Sequence, residues 1–109
     1  MMEKLYAVDD IKKFVNDEEM ALLYFSTNDC GICTTLLPKL EMMLLNYDQI
    51  SSGHVSIDEL PAASSEFSVF TVPTVLLFVE GKEVIREARF ISMDILEEKI
   101  QKYYDLFFS

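Results

Sequence analysis

The 109 residues suffice for one domain, and half of them are hydrophobic, which supplies a core and excludes a disordered composition. The formal net charge of −10 argues against nucleic acid as a partner, because the phosphates would be repelled. No apolar run approaches the length of a membrane span, so we expect no membrane contact.

The N-terminal residues 1–6 lead directly into acidic residues and lack the apolar region and cleavage pattern of a signal peptide. We therefore expect a cytoplasmic protein. Thiols stay reduced in that compartment, so a lone pair of cysteines is more often catalytic or metal-binding there than a structural crosslink.

The first predicted elements are a short strand at residues 4–7 and a helix that starts near Asp9 and Asp10, whose side chains favour helix starts. Its inner face is predicted from the spacing of Ile11, Phe14 and Val15. The polar run at residues 16–19 is predicted to be a loop.

Residues 20–25 form a continuous apolar run, typical of a strand that is buried on both faces of a sheet. Residues that form turns and helix caps follow at 26–29. Apolar residues then repeat at helical spacing from Cys30 to about Tyr47, and Pro38 should kink this helix. The predicted inner face of the helix consists of Leu36, Leu37, Leu40, Met43, Leu44 and Tyr47.

Cys30 and Cys33 are the two cysteines of the sequence. Three residues apart at a helix start, they lie one turn apart on the same side and can close a disulfide. The helix start stabilises a thiolate, which predicts Cys30 as nucleophile and Cys33 as resolving partner. The same spacing also fits half of a zinc site or two inert buried cysteines, so the motif alone leaves three interpretations open.

The second half of the chain continues the alternation. Residues 53–57 predict a strand, and Asp58 is a predicted cap for a short helix with Pro61 in its first turn and Phe67 near its end.

Residues 75–79 and 84–90 predict the strands of a β-hairpin, joined by a turn at 80–83. Ser92 is the predicted cap of the last helix, with Asp94 in its first turn. The predicted inner face of that helix consists of Ile95, Leu96, Ile100, Tyr103 and Phe107.

The resulting order, βαβαβαββα, predicts a single α/β domain over residues 1–109. Its sheet would be mixed, with parallel strands followed by an antiparallel C-terminal hairpin, and helices would flank it on both faces.

This order resembles that of the thioredoxin family over nearly the whole chain. The residues that carry the resemblance are Cys30-Gly31-Ile32-Cys33 after the second strand, Pro38 inside the following helix, Ile57-Asp58 at the end of the third strand, and Val72-Pro73-Thr74 before the hairpin. The resemblance implies the thioredoxin fold, a redox-active Cys30–Cys33 pair and no cofactor.

The resemblance also implies a cis bond before Pro73, which would lie against the cysteine pair. The backbone of Val72 would then be free to pair with an extended substrate by strand addition. The proline ring has no ligand atom, which disfavours a metal at the pair.

Three of the residues that depart from the family pattern belong to the predicted substrate surface. Asp29 replaces a Trp, which removes an apolar docking surface and places a negative charge beside Cys30 that opposes thiolate formation. Ile32 replaces a Pro and offers apolar contact area. Arg89 aligns with a Gly of the substrate groove, where it either offsets Asp29 or is solvated at a strand end. Together with Gly31, Val72 and Pro73, these are the predicted substrate-facing residues.

Tyr24 aligns with the buried Asp of the family, and His54 aligns with the Lys that partners it. Both are either core residues with paired polar tips or a replacement for the family's proton-transfer pair behind Cys33. Histidine suits that task because its pKa lies near neutrality.

The favoured function is that of a thioredoxin-type oxidoreductase that reduces protein disulfides, with a disulfide reductase as electron donor. A non-catalytic binding module with the same fold is an alternative, and so is a metal-binding protein that uses the cysteine pair. We expect no metal, because structural zinc sites take four ligands and the chain offers two Cys and one His. A monomer or a weak dimer is expected.

Overall fold

The computed structural model describes residues 2–108, which contain nine secondary-structure elements in the predicted order. In chain order they are β1 (Glu3–Lys4), α1 (Val8–Asp17), β2 (Met20–Ser26), α2 (Gly31–Leu44), β3 (Ser51–Ser56), α3 (Ala62–Phe67), β4 (Thr74–Val79), β5 (Lys82–Ala88) and α4 (Met93–Phe108). In this part of the chain, no helix has both the length and the apolar character needed to cross a membrane.

The five strands form one mixed sheet in the order β1-β3-β2-β4-β5. The strands β1, β3 and β2 are parallel, whereas β4 is antiparallel to β2 and β5 is antiparallel to β4. This topology confirms the predicted α/β fold, with parallel strands followed by a C-terminal antiparallel hairpin.

The sheet separates two apolar cores, and its central strand β2 contributes side chains to both. On one face the sheet packs against α2 and α4 through residues that include Tyr24, Leu40 and Leu96. On the other face, Leu23 and Phe25 pack with residues of α1 and α3. All seven residues of β2 are buried, which is why the sequence shows an unbroken apolar run instead of alternation.

The predicted first strand at residues 4–7 is wrong in its bounds. The strand consists of Glu3 and Lys4, which pair with β3, and the amide of Leu5 adds one more hydrogen bond to the His54 carbonyl at 3.0 Å. The side chain of Leu5 is buried in the core, with 6% exposed. Helix α1 starts at Val8 and runs to Asp17, so the predicted loop shrinks to residues 18–19.

The bounds of α2 and β3 also differ from the prediction. Helix α2 ends at Leu44, since the amide of Tyr47 donates to the Leu44 carbonyl at 3.0 Å in a tighter turn. Strand β3 begins at Ser51, two residues before the predicted start, because Ser51 and Ser52 pair with β2.

The prediction that Asp58 caps α3 is wrong. Helix α3 begins at Ala62 with Pro61 at its cap position. The carboxylate of Asp58 instead accepts a hydrogen bond from the backbone amide of Asn28 at 2.7 Å. Asp58 therefore holds the loop that precedes the cysteine pair against the segment that follows β3.

The hairpin turn is shorter than predicted and consists of Glu80 and Gly81, both with positive φ, as tight hairpin turns require. The second strand accordingly begins at Lys82. It ends at Ala88, because Arg89 has φ of 65° and its backbone is no longer extended.

The cap of α4 is confirmed, since the amide of Ile95 donates to Oγ of Ser92 at 3.4 Å. The placement of Ile95 on the inner face is wrong, because 53% of this residue is exposed. Leu96 and Ile100 are fully buried and define that face.

Candidate active site

The cysteine pair lies at the first turn of α2, where the chain leaves the carboxyl end of β2. Cys30 is the N-cap residue of the helix, and its sulfur accepts a hydrogen bond from the backbone amide of Cys33 at 3.1 Å. The two residues are joined by a disulfide, with 5.2 Å between their Cα atoms. Unpaired amides at a helix start favour negative charge, so the position suits a thiolate in the reduced protein.

The two cysteines differ in exposure. Cys33 is 3% exposed and packs in the core between the sheet and α2, whereas Cys30 is partly exposed at the cap. The asymmetry follows from the helix start, where Cys30 stands at the cap and Cys33 lies one turn later on the face that packs on the core. A partner molecule can therefore reach the sulfur of Cys30 more readily than that of Cys33.

The loop before β4 lies beside this turn. The Val72–Pro73 bond is cis, and the carbonyl of Pro73 accepts a hydrogen bond from the amide of Arg89 at 2.8 Å. Pro73 is buried, and Val72 and Cys30 both pack against the same core cluster as Cys33. The proline loop is thus hydrogen-bonded to the end of β5 and shares a core cluster with the cysteine pair.

The other predicted substrate-facing residues are all exposed. Asp29, Gly31 and Ile32 surround the pair in sequence, and Ile32 is 56% exposed. Arg89 follows β5, and its guanidinium carbon lies 5.9 Å from the ring centre of Phe90. Arg89 and Asp29 are not joined by an ion pair among residues 2–108.

Tyr24 and His54 lie opposite each other on the neighbouring strands β2 and β3. The hydroxyl of Tyr24 donates to the backbone carbonyl of Cys33 at 2.6 Å, and the two rings are 5.3 Å apart between centres. The ring nitrogen Nε2 of His54 is 2.6 Å from Oγ of Ser26. Both polar tips are therefore paired, as expected for groups largely removed from water.

Burial shifts the pKa of both side chains. It raises the pKa of Tyr24 to about 12, so the phenol stays neutral and remains a donor to Cys33. Burial, followed by the positive charge of Lys4, lowers the pKa of His54, against weaker opposing effects of Glu41 and Glu59. The imidazole is therefore neutral at pH 7 and able to accept a proton.

The sequence pattern did not predict two contacts at or next to this site. Ser26 is the partner of His54, and its position two residues after Tyr24 on the same strand face was an available signal. Asp58 holds the amide of Asn28, which no local pattern indicates, because the contact joins two loops 30 residues apart.

Among residues 2–108, no three or more His, Cys, Asp or Glu side chains cluster closely enough to hold a metal ion. The core cluster that contains Cys33 and packs against Cys30 includes Tyr24 and apolar side chains such as Leu36 and Val72. The chemistry of this arrangement is that of sulfur exchange at a partly exposed thiol backed by a buried one.

Comparisons with a family profile and with single known proteins all find thioredoxins or thioredoxin-like proteins. A family profile described as Thioredoxin matches residues 4–102. The chain is similar to a thioredoxin-like protein, YdfQ, of Bacillus subtilis, with 36% identity over 106 residues that cover 97% of this chain and 95% of the relative. It is also similar to a thioredoxin of Chlamydia caviae, with 30% identity over 102 residues, 94% of this chain and 99% of the relative.

A solved structure of a thioredoxin from Fasciola hepatica superimposes with a TM-score of 0.85 at 26% identity. The superposition covers 93% of this chain and 98% of that one.

Proposed function

This chain belongs to the thioredoxin family and is a thiol–disulfide oxidoreductase, and we propose that it reduces protein disulfides through Cys30 and Cys33. The observation that carries this proposal is the difference in exposure within the pair. A partly exposed sulfur at a helix start is suited to attack, and a buried sulfur one turn later is suited to resolve.

The reaction proceeds in two exchanges. In the reduced protein, the Cys30 thiolate attacks one sulfur of a substrate disulfide, which forms a mixed disulfide and releases the other substrate sulfur as a thiolate that takes a proton from water. Cys33 then loses its proton and attacks the sulfur of Cys30. The Cys30–Cys33 disulfide forms, and the remaining substrate sulfur leaves as a thiol. A partner disulfide reductase supplies two electrons and two protons to restore the dithiol.

The surface around the pair is proposed to hold the substrate. An extended segment would pair with the backbone of Val72 beside Pro73, by strand addition. Gly31 and Ile32 offer an unobstructed and apolar approach, since an added Cβ at Gly31 would meet nothing within 4 Å. Asp29 and Arg89 place opposite charges at the edge of this surface.

Tyr24 and His54 are proposed to serve the second exchange. Tyr24 positions Cys33 through its hydrogen bond to the Cys33 carbonyl. His54 lies against the Tyr24 ring and is neutral at pH 7, which supports a role as the proton acceptor behind Cys33.

We propose a cytoplasmic location, because a reducing direction requires a compartment in which dithiols are regenerated. We further propose that the protein acts as a monomer, or as a weak dimer, on disulfides of other proteins.

The test is the reduction of insulin disulfides by dithiothreitol, followed as turbidity. We expect the protein to accelerate the reaction and Cys30→Ser to abolish the acceleration, because the attacking sulfur is lost. The reduced Cys33→Ser variant, mixed with insulin after removal of dithiothreitol, should accumulate a mixed disulfide through Cys30, visible by mass spectrometry, because resolution is lost. Thr34→Ser, an exposed neighbour that keeps its hydroxyl, serves as the matched control and should retain the wild-type rate.

Two outcomes would contradict the proposal. Full acceleration by Cys30→Ser would remove Cys30 as the nucleophile. A folded wild-type protein without any acceleration would favour the alternative of a binding module with the same fold.

A further inference from the structure

A groove of about 630 Å³ opens beside the disulfide. One wall is the outer face of α2 and the other is the segment that leads into α4. Its lining includes Gly31, Ile32, Leu36, Lys39, Ile91 and Met93. Gly31 and Ile32 stand between the two cysteines in sequence, so one end of the groove adjoins the helical turn that carries the disulfide.

The walls near the disulfide are apolar. Ile32 is more than half exposed, whereas Ile91 and Met93 are partly buried and rest on the core cluster that contains Cys33. Covering exposed apolar surface of this kind with a nonpolar side chain is favourable by about 25 cal/mol for each Å² removed from water.

The charge of the groove comes from Lys39. Among the lining residues, which all belong to the part of the chain that the structure describes, it is the one with a charged side chain. Lys39 is exposed and makes no ion pair within residues 2–108, whereas five of the nine basic side chains do. Asp94 adjoins Met93 in sequence and Asp29 lies two residues before Gly31, but neither lines the groove. More distant carboxylates are screened, since the Debye length is about 8 Å at 0.15 M salt.

The distance along the groove sets the spacing of a partner. Gly31 and Lys39 are eight residues apart on α2, which corresponds to about 12 Å of helix. An extended chain advances about 3.3 Å per residue, so it covers that distance in three or four residues.

We propose that this groove selects substrate segments in which an apolar residue adjoins the attacked cysteine and an Asp or Glu lies three or four residues from it, opposite Lys39. The inference rests on the proposed function and adds a substrate class to it. The apolar part adjoins the reactive pair, and the carboxylate complements the charge of Lys39.

The experiment uses the reduced full-length chain and short peptides with one cysteine, joined to pyridine-2-thiol as a mixed disulfide. Attack of Cys30 on the peptide sulfur forms the Cys30–peptide disulfide and releases pyridine-2-thione, whose absorbance gives the rate. The peptides carry Leu beside the cysteine and Glu, Gln or Lys four residues away. One series extends toward the N-terminus and the other toward the C-terminus.

We expect the Glu peptide to react up to about fivefold faster than the Gln peptide in at least one series, as an exposed ion pair allows. Lys39→Glu should reverse the preference in favour of the Lys peptide, because the charge opposite the peptide is reversed. Lys82→Glu is the matched control, since Lys82 is also exposed and lies at the hairpin end of β5, about 20 Å along the strands from the proline loop. This control should keep the preference for Glu.

The apolar contact is tested separately with Met93→Ser. This variant should lose rate on the peptides with Leu beside the cysteine but not on peptides with Ser there. Equal loss on both kinds of peptide would overturn the apolar part of the proposal.

Equal rates for the Glu, Gln and Lys peptides in both series, with wild type and with Lys39→Glu, would overturn the inference while leaving disulfide exchange intact. No release of pyridine-2-thione from any peptide would instead contradict the proposed function. A concentration-dependent dimer in sedimentation that Lys39→Glu abolishes would assign the groove to a second copy of the chain and also overturn the inference.

Discussion

Single residues at the cysteine pair set how easily a thiolate forms there. Asp29 is exposed and directly precedes Cys30, so its charge opposes the thiolate that the helix start favours. Solvent screens an exposed charge, which keeps the opposition small.

We expect Asp29→Asn to shift the pH midpoint of Cys30 alkylation downward by about 0.2–0.7 pH unit, since an exposed charge pair contributes about 0.2–1 kcal/mol. The measurement is the iodoacetamide rate of the reduced protein against pH. Asp48→Asn, an exposed residue in the loop after α2, removes the same charge at the far end of that helix and should leave the profile unchanged. An unchanged profile for Asp29→Asn would mean that its carboxylate is directed away from the sulfur.

His54 makes the stability of the fold depend on pH. Burial lowers its pKa below the ordinary value of 6.5, so the unfolded chain takes up its proton at a higher pH than the folded chain. The free energy of unfolding should therefore fall as pH drops below 6.5, by at most about 1.4 kcal/mol per pH unit, and stay level with respect to this group above it.

The variant His54→Gln isolates this effect, because His54 is the single histidine of the sequence and Gln can still pair with Ser26. Urea unfolding at pH 7 and pH 5.5 should show a smaller difference in the variant than in the wild type. The pKa of Glu59 is lowered from an ordinary value of 4.5, chiefly by its hydrogen bond with Lys4, so this carboxylate titrates below the pH range compared. Identical pH dependence in the two proteins would show that His54 titrates alike in the folded and unfolded states.

The same variant examines the proposed proton acceptor. Rapid mixing that resolves the two exchanges should show slower release of the mixed disulfide and a nearly unchanged attack by Cys30. Equal effects on both steps, or none on either, would make His54 an ordinary strand residue.

At the scale of elements, α4 supports the wall of the groove, and its inner face holds it on the sheet. Leu96 and Ile100 are fully buried in the core cluster shared with α2, four residues apart as on one helix face. Leu106 belongs to the same helix but is 71% exposed. The helix thus offers two leucines in opposite environments.

We expect Leu96→Ala to lower the free energy of unfolding by about 2–5 kcal/mol, because it removes buried contacts and leaves a cavity. Leu106→Ala should change it by no more than about 0.5 kcal/mol, as is usual at the surface. Urea unfolding of both variants provides the comparison. Similar losses for the two would mean that the end of α4 is covered in solution.

At the scale of the whole molecule, the mixed sheet brings together segments that are distant in sequence. The carboxyl end of β2 leads to the cysteine pair. Because β4 is antiparallel to β2, and β5 is antiparallel to β4, the start of β4 and the end of β5 lie at this same edge of the sheet. The Pro73–Arg89 hydrogen bond joins those two strand ends. Disulfide chemistry, the proline loop and the groove therefore share one edge of the sheet.

The sequence by itself determined the order of elements, the buried central strand and the cysteine pair at a helix start. These features depend on local physics: the periodicity of apolar residues, the residues that cap helices, and the one-turn spacing of Cys30 and Cys33. The proposed pairing of Tyr24 with His54 came from the family resemblance and not from local patterns.

The tertiary structure alone decided the contacts between distant segments. Strand register places Ser26 against His54. The packing of two loops lets the carboxylate of Asp58 accept a hydrogen bond from the amide of Asn28 instead of capping α3. The packing of α4 against α2 places Met93 across the groove from Lys39. Such contacts arise from the relative placement of elements far apart in the chain, and no local pattern of residues specifies that placement.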